Sequence, residues 1–463
     1  MKIHLLALAL LTPALLPAQE ANPFVKAAAE EATELVSDDV ITGTLSFRVP
    51  RKLLPTNSAP ADADAAPLLA QAWKWVEEGK AVLEDSSVVT GGSGEMFRTE
   101  SISEILYPTE WVTAPAGAWP GPCAIETRNT GFTQEWEPTL QGNSVAIRAA
   151  LDHTRFAGCR DYFPLVAATR QPGDMTCPLF ESDRATTQYR VPRGAWFLAS
   201  RNDRSGDGDL SRLCFARVDQ RVRKPAQPLK DVKVVRGTLE WIEVDHPAFA
   251  AWWAKTPLSD AATGGARLQA ERMIAAGQGS VVSSQPFQSN PGDRGTVESL
   301  REVIYPTDFD PPFTPQVAAP QAPGADDHAD GEAAKKPVPP PVAAGTYPSE
   351  GYGAAWIGCS YETRNTGFST EFEVVSVNGL WGVRLAVENV KDVGEIVMRR
   401  IKVNDQWIPD AKMPHFYCER INTGFHLEPN LPLLVGVVAP PDAEGNPDPA
   451  KRHLVFLTLN PEK

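Results

Sequence analysis

Two stretches of the chain alternate apolar and polar residues in the way expected of half-buried strands. In residues 131–137, Phe132 and Trp136 share one face while threonine and glutamate occupy the other. Residues 367–373 show the same alternation. A period of two over this length predicts β-strands with one face on a core.

A turn signal and a second alternating run follow each of these strands. The turns are Gly142-Asn143 and Asn378-Gly379, and the runs are residues 145–151 and 381–387. Such dipeptides between apolar runs are hairpin signals. Each hairpin is predicted to carry an exposed cross-strand charge pair that adds little stability. The pairs are Arg148 with Glu135 and Arg384 with Glu371.

Upstream of each hairpin, the pattern predicts a strand followed by a helix. The strands are residues 40–49 and 234–244, and the helices end at Gly79 and Gly277. The apolar positions at helical spacing are Leu68, Leu69, Ala72, Trp73 and Val76 in the first helix and Leu268, Met273 and Ile274 in the second. Further strands are predicted at residues 186–191, 196–200, 213–218, 423–427, 433–438 and 454–459. These elements indicate a mainly β protein with a few helices (α+β), built from two β-meander domains with one helix packed on each sheet.

The same seven-residue block occurs twice in the chain. ETRNTGF spans residues 126–132 and 362–368, an offset of 236 (362 − 126). The segments beginning at Tyr107 and Tyr305 also match, with an offset of 198 (305 − 107). A repeat unit this long indicates a tandem domain duplication rather than a solenoid, with an insertion of 38 residues in the second copy.

Composition and spacing then set the expected boundaries. The predicted segments are a signal peptide at 1–18, a helical segment at 19–37, domain 1 at 38–220, a linker at 221–233 and domain 2 at 234–460, with a disordered insertion rich in proline and alanine at 311–347. The insertion has too few large apolar residues to offset the loss of chain entropy.

The first 18 residues are typical of a secretory signal. Lys2 precedes an apolar run at residues 3–16, and Pro17-Ala18 supplies small residues for cleavage. We therefore expect an exported protein located in the periplasm or associated with the outer membrane. The net charge of −14 and the lack of a basic patch predict no nucleic-acid partner.

No sequence motif of catalysis, cofactor binding or metal binding is present. The six cysteines form no CxxC pair, and no serine, zinc or phosphate-loop signature occurs. The segment from Asp203 to Asp209 imitates the start of a calcium loop, but Cys214 occupies the position that needs a bidentate glutamate. We predict a plain hairpin there and no enzyme activity, cofactor or metal.

These motifs together resemble the β-domain of secretins, the ring-forming channels of type II and III secretion and type IV pili. The resemblance rests on YPTEW at 107–111 with ETRNTGF at 126–132, on YPTDF at 305–309 with the second ETRNTGF, and on PLF at 178–180 and PHF at 414–416. It implies protein partners in the cell envelope, with a secretin or pilus assembly as the candidate.

The chain departs from the secretin pattern in three respects. Only about 20 residues separate the signal from the first copy, the β-domain is doubled, and the closing glycine-rich run is missing. The strands are also expected to be six to eight residues long, where a membrane-spanning strand needs about 9–11. We therefore predict a mostly periplasmic protein that forms no channel, and the sequence leaves membrane insertion open.

Two disulfides are predicted from the meander geometry. Cys359 and Cys418 precede the first and third meander strands, at the same end of the sheet. Cys123 matches Cys359 in the first copy, and Cys177 is its expected partner. The pairing of the other two cysteines is left open.

The repeated block is predicted to be structural. In each copy the glutamate and arginine are expected to satisfy the backbone and each other where the strand begins. The residues are Glu126, Arg128, Asn129, Gly131 and Phe132 in the first copy and Glu362, Arg364, Asn365, Gly367 and Phe368 in the second.

Three functions remain compatible with the sequence. The first is an exported, non-enzymatic secretin-like component of a type II or III secretion system or type IV pilus. The second is a soluble periplasmic binding or scaffold protein that reuses the fold, and the third is an exported hydrolase whose site has no recognisable motif.

Overall fold

The computed structural model describes residues 38–54, 64–112, 121–164, 173–203, 209–221, 229, 232–258, 264–310, 357–403 and 406–462. Residues 38–463 form one compact unit. The predicted signal peptide, the helical segment at 19–37 and the insertion at 311–347 lie outside the described residues, as does most of the predicted linker.

The described residues form sixteen strands, three α-helices and one short 3-10 helix at Arg51–Leu53. The strands are β1 (Asp39–Pro50), β2 (Val82–Gly92), β3 (Phe97–Val112), β4 (Gly121–Gln141), β5 (Ser144–Pro164), β6 (Gly173–Pro192), β7 (Trp196–Asp203), β8 (Leu210–Gln220), β9 (Val234–Asp245), β10 (Gly279–Ser289), β11 (Arg294–Asp310), β12 (Ile357–Val377), β13 (Leu380–Val403), β14 (Gln406–Leu427), β15 (Leu433–Val438) and β16 (Lys451–Glu462). The helices are α1 (Ala66–Glu77), α2 (His246–Lys255) and α3 (Ala266–Ala275). The protein is therefore mostly β, as predicted.

The strands form two antiparallel sheets of eight. Sheet A has the order β10-β9-β16-β15-β2-β1-β8-β7, and sheet B has the order β11-β12-β13-β14-β3-β4-β5-β6. In each sheet, four strands from the C-terminal half are followed by four strands from the N-terminal half. Sheet B has one more contact, in which Arg399–Ile401 of β13 pair with Gly173–Met175 of β6.

The two halves use the same pairing registers. Asp152 lies opposite Arg184 in the first half, and Glu388 lies opposite Arg420 in the second, each pair 236 positions apart (388 − 152 and 420 − 184). Because register decides which side chains share a face, equivalent residues of the two halves occupy equivalent faces.

The junction between the halves is made by strand pairing. In sheet B, β14 lies against β3 with Cys418 opposite Ile102. In sheet A, β15 meets β2 with Gly436 opposite Val89. We call this junction, in both sheets, the seam.

One hydrophobic core serves both halves. It takes residues from both sheets and from all three helices, and its largest fully buried side chains include Trp136, Trp241, Trp253 and Trp381. Such large apolar burial is the main favourable term in folding. Since the core crosses the seam, the halves are packed together and not merely tethered.

The helices differ in part from the sequence prediction. In α1 the buried residues are Leu69, Ala72 and Trp75, close to the predicted stripe. In α3 the predicted Leu268 is exposed, and alanines with Met273 face the core instead. No helix in the described part of the chain is long and apolar enough to cross a membrane.

The prediction of one helix for each domain was wrong, because α2 was missed. The carboxylate of Asp245 caps this helix by accepting a hydrogen bond from the Ala248 N–H at 2.9 Å, and a proline occupies its first turn. An aspartate shortly before a proline is a helix-start signal, but here it directly follows the strand predicted at residues 234–244, and no helix was predicted immediately after it.

The strand-length prediction was also wrong. The six long strands of sheet B (β4, β5, β6, β12, β13 and β14) span 20 to 24 residues each. Glycines and prolines inside them looked like breaks, but glycines in the left-handed φ region continue the ladders. Gly131 and Gly367 have φ values of 112° and 116° and lie within β4 and β12.

These two glycines are required by close contact as well as by φ. A Cβ atom on Gly131 would lie 2.2 Å from the carbonyl oxygen of Ser101, and one on Gly367 would lie 2.1 Å from that of Ser299. The repeated TGF sequence thus marks the same bent position in both long strands.

The two hairpin charge pairs form with a neighbouring glutamate on the same strand. Arg148 pairs with Glu137 at 3.5 Å, and Arg384 pairs with Glu373 at 3.8 Å. The register places these residues directly opposite one another, two positions along from the predicted partners.

Neither predicted disulfide is present in the described structure. Cys418 on β14 lies opposite Val390 of β13, and Val390 lies opposite Gly367 of β12. Cys359 is eight residues (367 − 359) further along β12, roughly 26 Å at the rise of a strand. The two cysteines lie inside long strands at different heights in the sheet, and not in loops at one end.

The pairing of Cys123 with Cys177 fails for a related reason. Cys123 is on β4 and Cys177 is on β6, and β5 pairs with both strands between them. Two strand spacings amount to about 10 Å, which exceeds the Cα separation that a disulfide tolerates.

Candidate functional site

An ionic cluster lies on the sheet B side of the seam. We call it the seam cluster, and it consists of Arg98, Glu100, Glu104, Arg364, Glu388 and Arg420. The first three residues come from β3, and the others come from β12, β13 and β14. The cluster therefore joins the two halves through side chains more than 250 positions apart.

Arg364 makes the most extensive contact. Its Nε and Nη2 donate to the two carboxylate oxygens of Glu104 at 2.9 and 2.7 Å. The same Nη2 also donates to Glu388 at 2.9 Å. A bidentate arginine–carboxylate pair fixes both distance and orientation, so it helps to set how the halves meet.

Arg420 also links the two halves, through a different glutamate of β3. Its Nη1 donates to Glu100 at 2.7 Å, and its Nη2 donates to Glu388 at 3.1 Å. Arg98 also donates to Glu100. The Glu100 side chain is only 1% exposed, so these two arginines provide the partners that its buried charge requires.

The electrostatics of the cluster favour the charged forms. Burial alone would raise the pKa of Glu388, but the guanidinium groups of Arg420 and Arg364 outweigh it and lower this pKa. Burial likewise opposes the charge on Arg364, yet Glu104 and Glu388 raise its pKa above the ordinary value. The cluster is thus a set of mutually stabilised charges and not a poised acid or base.

A second group of buried charged residues, separate from the seam cluster, also links the two halves. Arg221 pairs with Asp39 at 3.1 Å and also with Glu428. His426 approaches Asp39 with an Nδ1–Oδ1 distance of 2.9 Å. Arg221 was predicted to be the first residue of the linker, but its side chain is buried and paired with residues of both halves.

Arg452 is the most deeply buried arginine of the seam. Its guanidinium donates to Asp85 at 3.0 Å and to the carbonyl oxygens of Ser86 and Glu84 at 3.1 and 3.2 Å. These acceptors lie on β2 in the N-terminal half, whereas Arg452 lies on β16. Removing such a partner would leave a charge buried without compensation.

The residues of the repeated block are not all engaged in the predicted way. Glu126 and Glu362 accept hydrogen bonds from the tyrosines of the matching YPT segments, at 3.5 and 3.4 Å, while Asn129 and Asn365 are exposed. Arg364 reaches across the seam to Glu104 instead of Glu362.

Other members of the block differ in burial. Phe132 is buried and Phe368 is half-buried on the core side, as the alternation predicted, and Arg128 is half-buried near Tyr107. Sequence reasoning missed Glu104 and Glu388 because neither belongs to a local motif.

The exposed edges of the sheets carry apolar residues. On β11 the side chains of Leu300 and Ile304 are 39% and 66% exposed. Their equivalents on β3, 198 positions earlier, are Ile102 and Leu106, and both are only 2% exposed. The same surface is therefore covered in the N-terminal half and open in the C-terminal half.

A small cavity beside the first half has no catalytic arrangement. It encloses about 30 Å³ and is lined in part by His153, Asp183, Arg212 and Cys214. Arg212 pairs with Asp183 and, at 2.7 Å, with Glu84, and the His153 ring lies against Phe132. Burial raises the pKa of Cys214 to about 12, so its thiol stays protonated and is a poor nucleophile.

Within the described ranges, no group of three or more histidine, cysteine, aspartate or glutamate side chains is arranged to hold a metal ion. A larger groove of about 260 Å³ is lined by Met96, Trp136, Arg148 and neighbouring polar residues. It is open to solvent and contains no pair of groups poised for acid–base chemistry.

No protein-family model and no curated protein matches the chain. The chain is similar to the secretin domain β-barrel of InvG from the Salmonella SPI-1 injectisome NC-base, with 10% identity and a TM-score of 0.25, over 45% of this chain and 67% of that one. It is also similar to the Klebsiella pneumoniae type II secretion system outer membrane complex of PulD, PulS and the PulC HR domain, with 8% identity and a TM-score of 0.21, over 41% of each chain. Both similarities cover less than half of this chain.

Proposed function

We propose that this chain is an exported, non-enzymatic structural or assembly component of the cell envelope, associated with a type II or III secretion system or a type IV pilus. The observation that supports it best is the use of its buried charged side chains. In the seam cluster, one buried and several partly buried charged side chains link strands of the two halves, and none of them is arranged for chemistry on a substrate. The secretin-like motifs around Tyr107 and Tyr305 support the envelope setting.

The proposal includes a tandem origin for the two halves. Residues 38–220 and 234–460 are taken as copies of one domain, and the four-strand blocks with equal registers support this division. In this arrangement the chain acts as a fused pair of units whose relative position is fixed by the seam.

The export part of the proposal is tested by following the chain in cells. We expect cleavage after residue 18, recovery in the envelope fraction, and cross-linking in vivo to a component of a secretion or pilus assembly. N-terminal sequencing and mass spectrometry of the cross-linked species are the measurements. An uncleaved chain in the cytoplasm would contradict the proposal.

The absence of enzymatic activity is tested at the small cavity that is lined in part by His153, Asp183 and Cys214. We expect the variant His153→Ala to support envelope assembly as the unmodified chain does. A hydrolytic activity of the purified chain that this substitution removes would contradict a purely structural role.

A further inference from the structure

A buried histidine lies between the two sheets in the C-terminal half. The His453 side chain on β16 of sheet A is 1% exposed, and its Nδ1 lies 2.6 Å from Oε1 of Glu419 on β14 of sheet B. Its Nε2 lies 3.7 Å from Oε2 of Glu243 on β9. We call these three residues the C-terminal link, because they connect the two sheets.

Glu419 depends on a positive charge at this place. Its side chain is fully buried, and its one ion pair with a described residue is the contact with His453. Oε2 of Glu419 accepts a hydrogen bond from Nδ2 of Asn389 at 2.7 Å, whereas Oε1 and both ring nitrogens of His453 are not aligned for a hydrogen bond with any described group. The contact is therefore held by charge, and a buried carboxylate that loses its cation is costly.

In the N-terminal half, an arginine occupies the equivalent place. Arg212 lies on β8, which has the same position in its four-strand block of sheet A as β16 has in the other, and it pairs with Asp183 on β6. Asp183 is the equivalent of Glu419, 236 positions earlier (419 − 183). Arg212 also pairs with Glu84 at 2.7 Å. We call Arg212, Asp183 and Glu84 the N-terminal link. An arginine stays charged in a folded protein, whereas a histidine loses its charge near neutral pH.

The charges around His453 favour its protonated form. Burial lowers the pKa of the ring, but Glu419 and Glu243 outweigh this effect and raise the pKa above its usual value of 6.5. Lys391 on β13 acts against them, and Lys451 pairs with Glu243 at 3.3 Å. The strand β15, the other neighbour of β16 in sheet A, carries no ionisable side chain.

We propose that the C-terminal link is a pH-dependent contact between the sheets, which holds while His453 carries its proton and weakens once the ring releases that proton to solvent. The Glu419 carboxylate is then left buried without a cation, so loosening begins at β14 and β16. The N-terminal link holds throughout, because Arg212 remains charged. This inference does not depend on the envelope role, and the purified chain suffices to test it.

The raised pKa of His453 fixes the sign of the effect. A base whose pKa is higher in the folded protein stabilises it below the unfolded value, and this contribution is lost as the pH rises through the folded value. His246 and His415 act in the opposite direction, because burial lowers the pKa of each ring. Variants are therefore compared with the unmodified chain from pH 6 to pH 8, below the usual cysteine pKa of about 8.5.

Two variants remove this titration in different ways. Glu419→Gln takes away the carboxylate, and His453→Arg supplies a permanent charge, as Arg212 does in the N-terminal half. We expect the unfolding equilibrium constant of the unmodified chain, divided by that of either variant, to rise by about threefold or more from pH 6 to pH 8. Urea unfolding curves measure these constants.

Glu84→Gln is the matched control. It makes the same change from carboxylate to amide in the N-terminal link, where the cation does not titrate. The corresponding ratio of unfolding constants should therefore stay within about twofold across the same pH range.

Hydrogen–deuterium exchange at the histidine rings tests the same group without a substitution. Mass spectrometry of the histidine-containing peptides gives the pKa of each ring, and we expect the pKa of His453 to lie above 6.5 and that of His415 to lie below it. A pKa of His453 at or below 6.5 would overturn the proposal. So would Glu419→Gln and His453→Arg variants that keep the pH dependence of the unmodified chain, or a Glu84→Gln variant that changes it as much as they do.

Discussion

At the residue scale, the equivalent positions Glu104 and Glu302 show how one side chain serves different roles. Glu104 is largely buried and accepts hydrogen bonds from Nε and Nη2 of Arg364, whereas Glu302 is exposed on β11. Since the two residues occupy matching strand positions, substituting each of them in turn shows how much the seam contact adds to the free energy of unfolding. They therefore form a natural pair of variants.

We expect Glu104→Gln to lower the free energy of unfolding by about 1–3 kcal/mol, because Arg364 would lose a charged partner in a largely buried place. Glu302→Gln should change it by less than about 0.5 kcal/mol, as is usual at exposed positions. Urea unfolding of both variants at low protein concentration is the measurement. Equal losses of unfolding free energy at the two positions would show that the pair of Glu104 with Arg364 adds no more stability than an exposed glutamate does.

The lowered pKa of Glu388 gives a pH dependence with a definite sign. A carboxyl group whose pKa is lower in the folded protein stabilises it above the ordinary value of 4.5, and this contribution is lost as the pH falls through the folded value. We therefore expect Glu388→Gln to reduce the loss of unfolding free energy between pH 5 and pH 3. Urea titrations across this range measure it, and an unchanged slope in the variant would contradict the assignment.

At the element scale, the long strands of sheet B depend on glycines that keep the ladder continuous. Gly131→Ala would add a left-handed φ penalty and a clash with the carbonyl oxygen of Ser101, and we expect a loss of about 2–4 kcal/mol. Gly158 has a similar φ of 107° but open space around it, so Gly158→Ala should cost less, about 1–2 kcal/mol. Thermal or urea unfolding compares them, and an equal cost would mean that the close contact is not important.

Local patterns predicted most of the elements and missed their extent. The period-two alternation around Trp136, the turn at Asn378-Gly379 and the first helix are all found in the structure. The lengths of the strands were not predicted, because composition alone cannot distinguish a glycine inside a strand from a glycine in a turn. The helix α2 was missed because its cap adjoins a strand, and the cysteine pairing failed together with the strand lengths.

At the scale of the whole molecule, the decisive feature is the seam. Two repeats joined by a linker at 221–233 predicted two tandem domains, yet strands of both halves share each sheet and one core. The contacts that bring this about join residues such as Glu104 and Arg364, 260 positions apart. Each partner looks like an ordinary exposed charge in its own strand, so neither composition nor periodicity could reveal the junction.

A disulfide across the seam tests this arrangement most directly. Ile102 lies opposite Cys418 in the pairing of β3 with β14, and both side chains belong to the same apolar cluster. Directly opposite residues on paired strands have the Cα separation that a disulfide needs. We therefore predict that Ile102→Cys forms a disulfide with Cys418 on mild oxidation of the monomer, identified by mass spectrometry of the joined peptides. Thr99→Cys lies opposite Ile421, about 10 Å along the strand and on the other face, and should form none with Cys418. Absence of the 102–418 bond, or equal cross-linking by the Thr99 variant, would contradict a sheet that is continuous across the two halves.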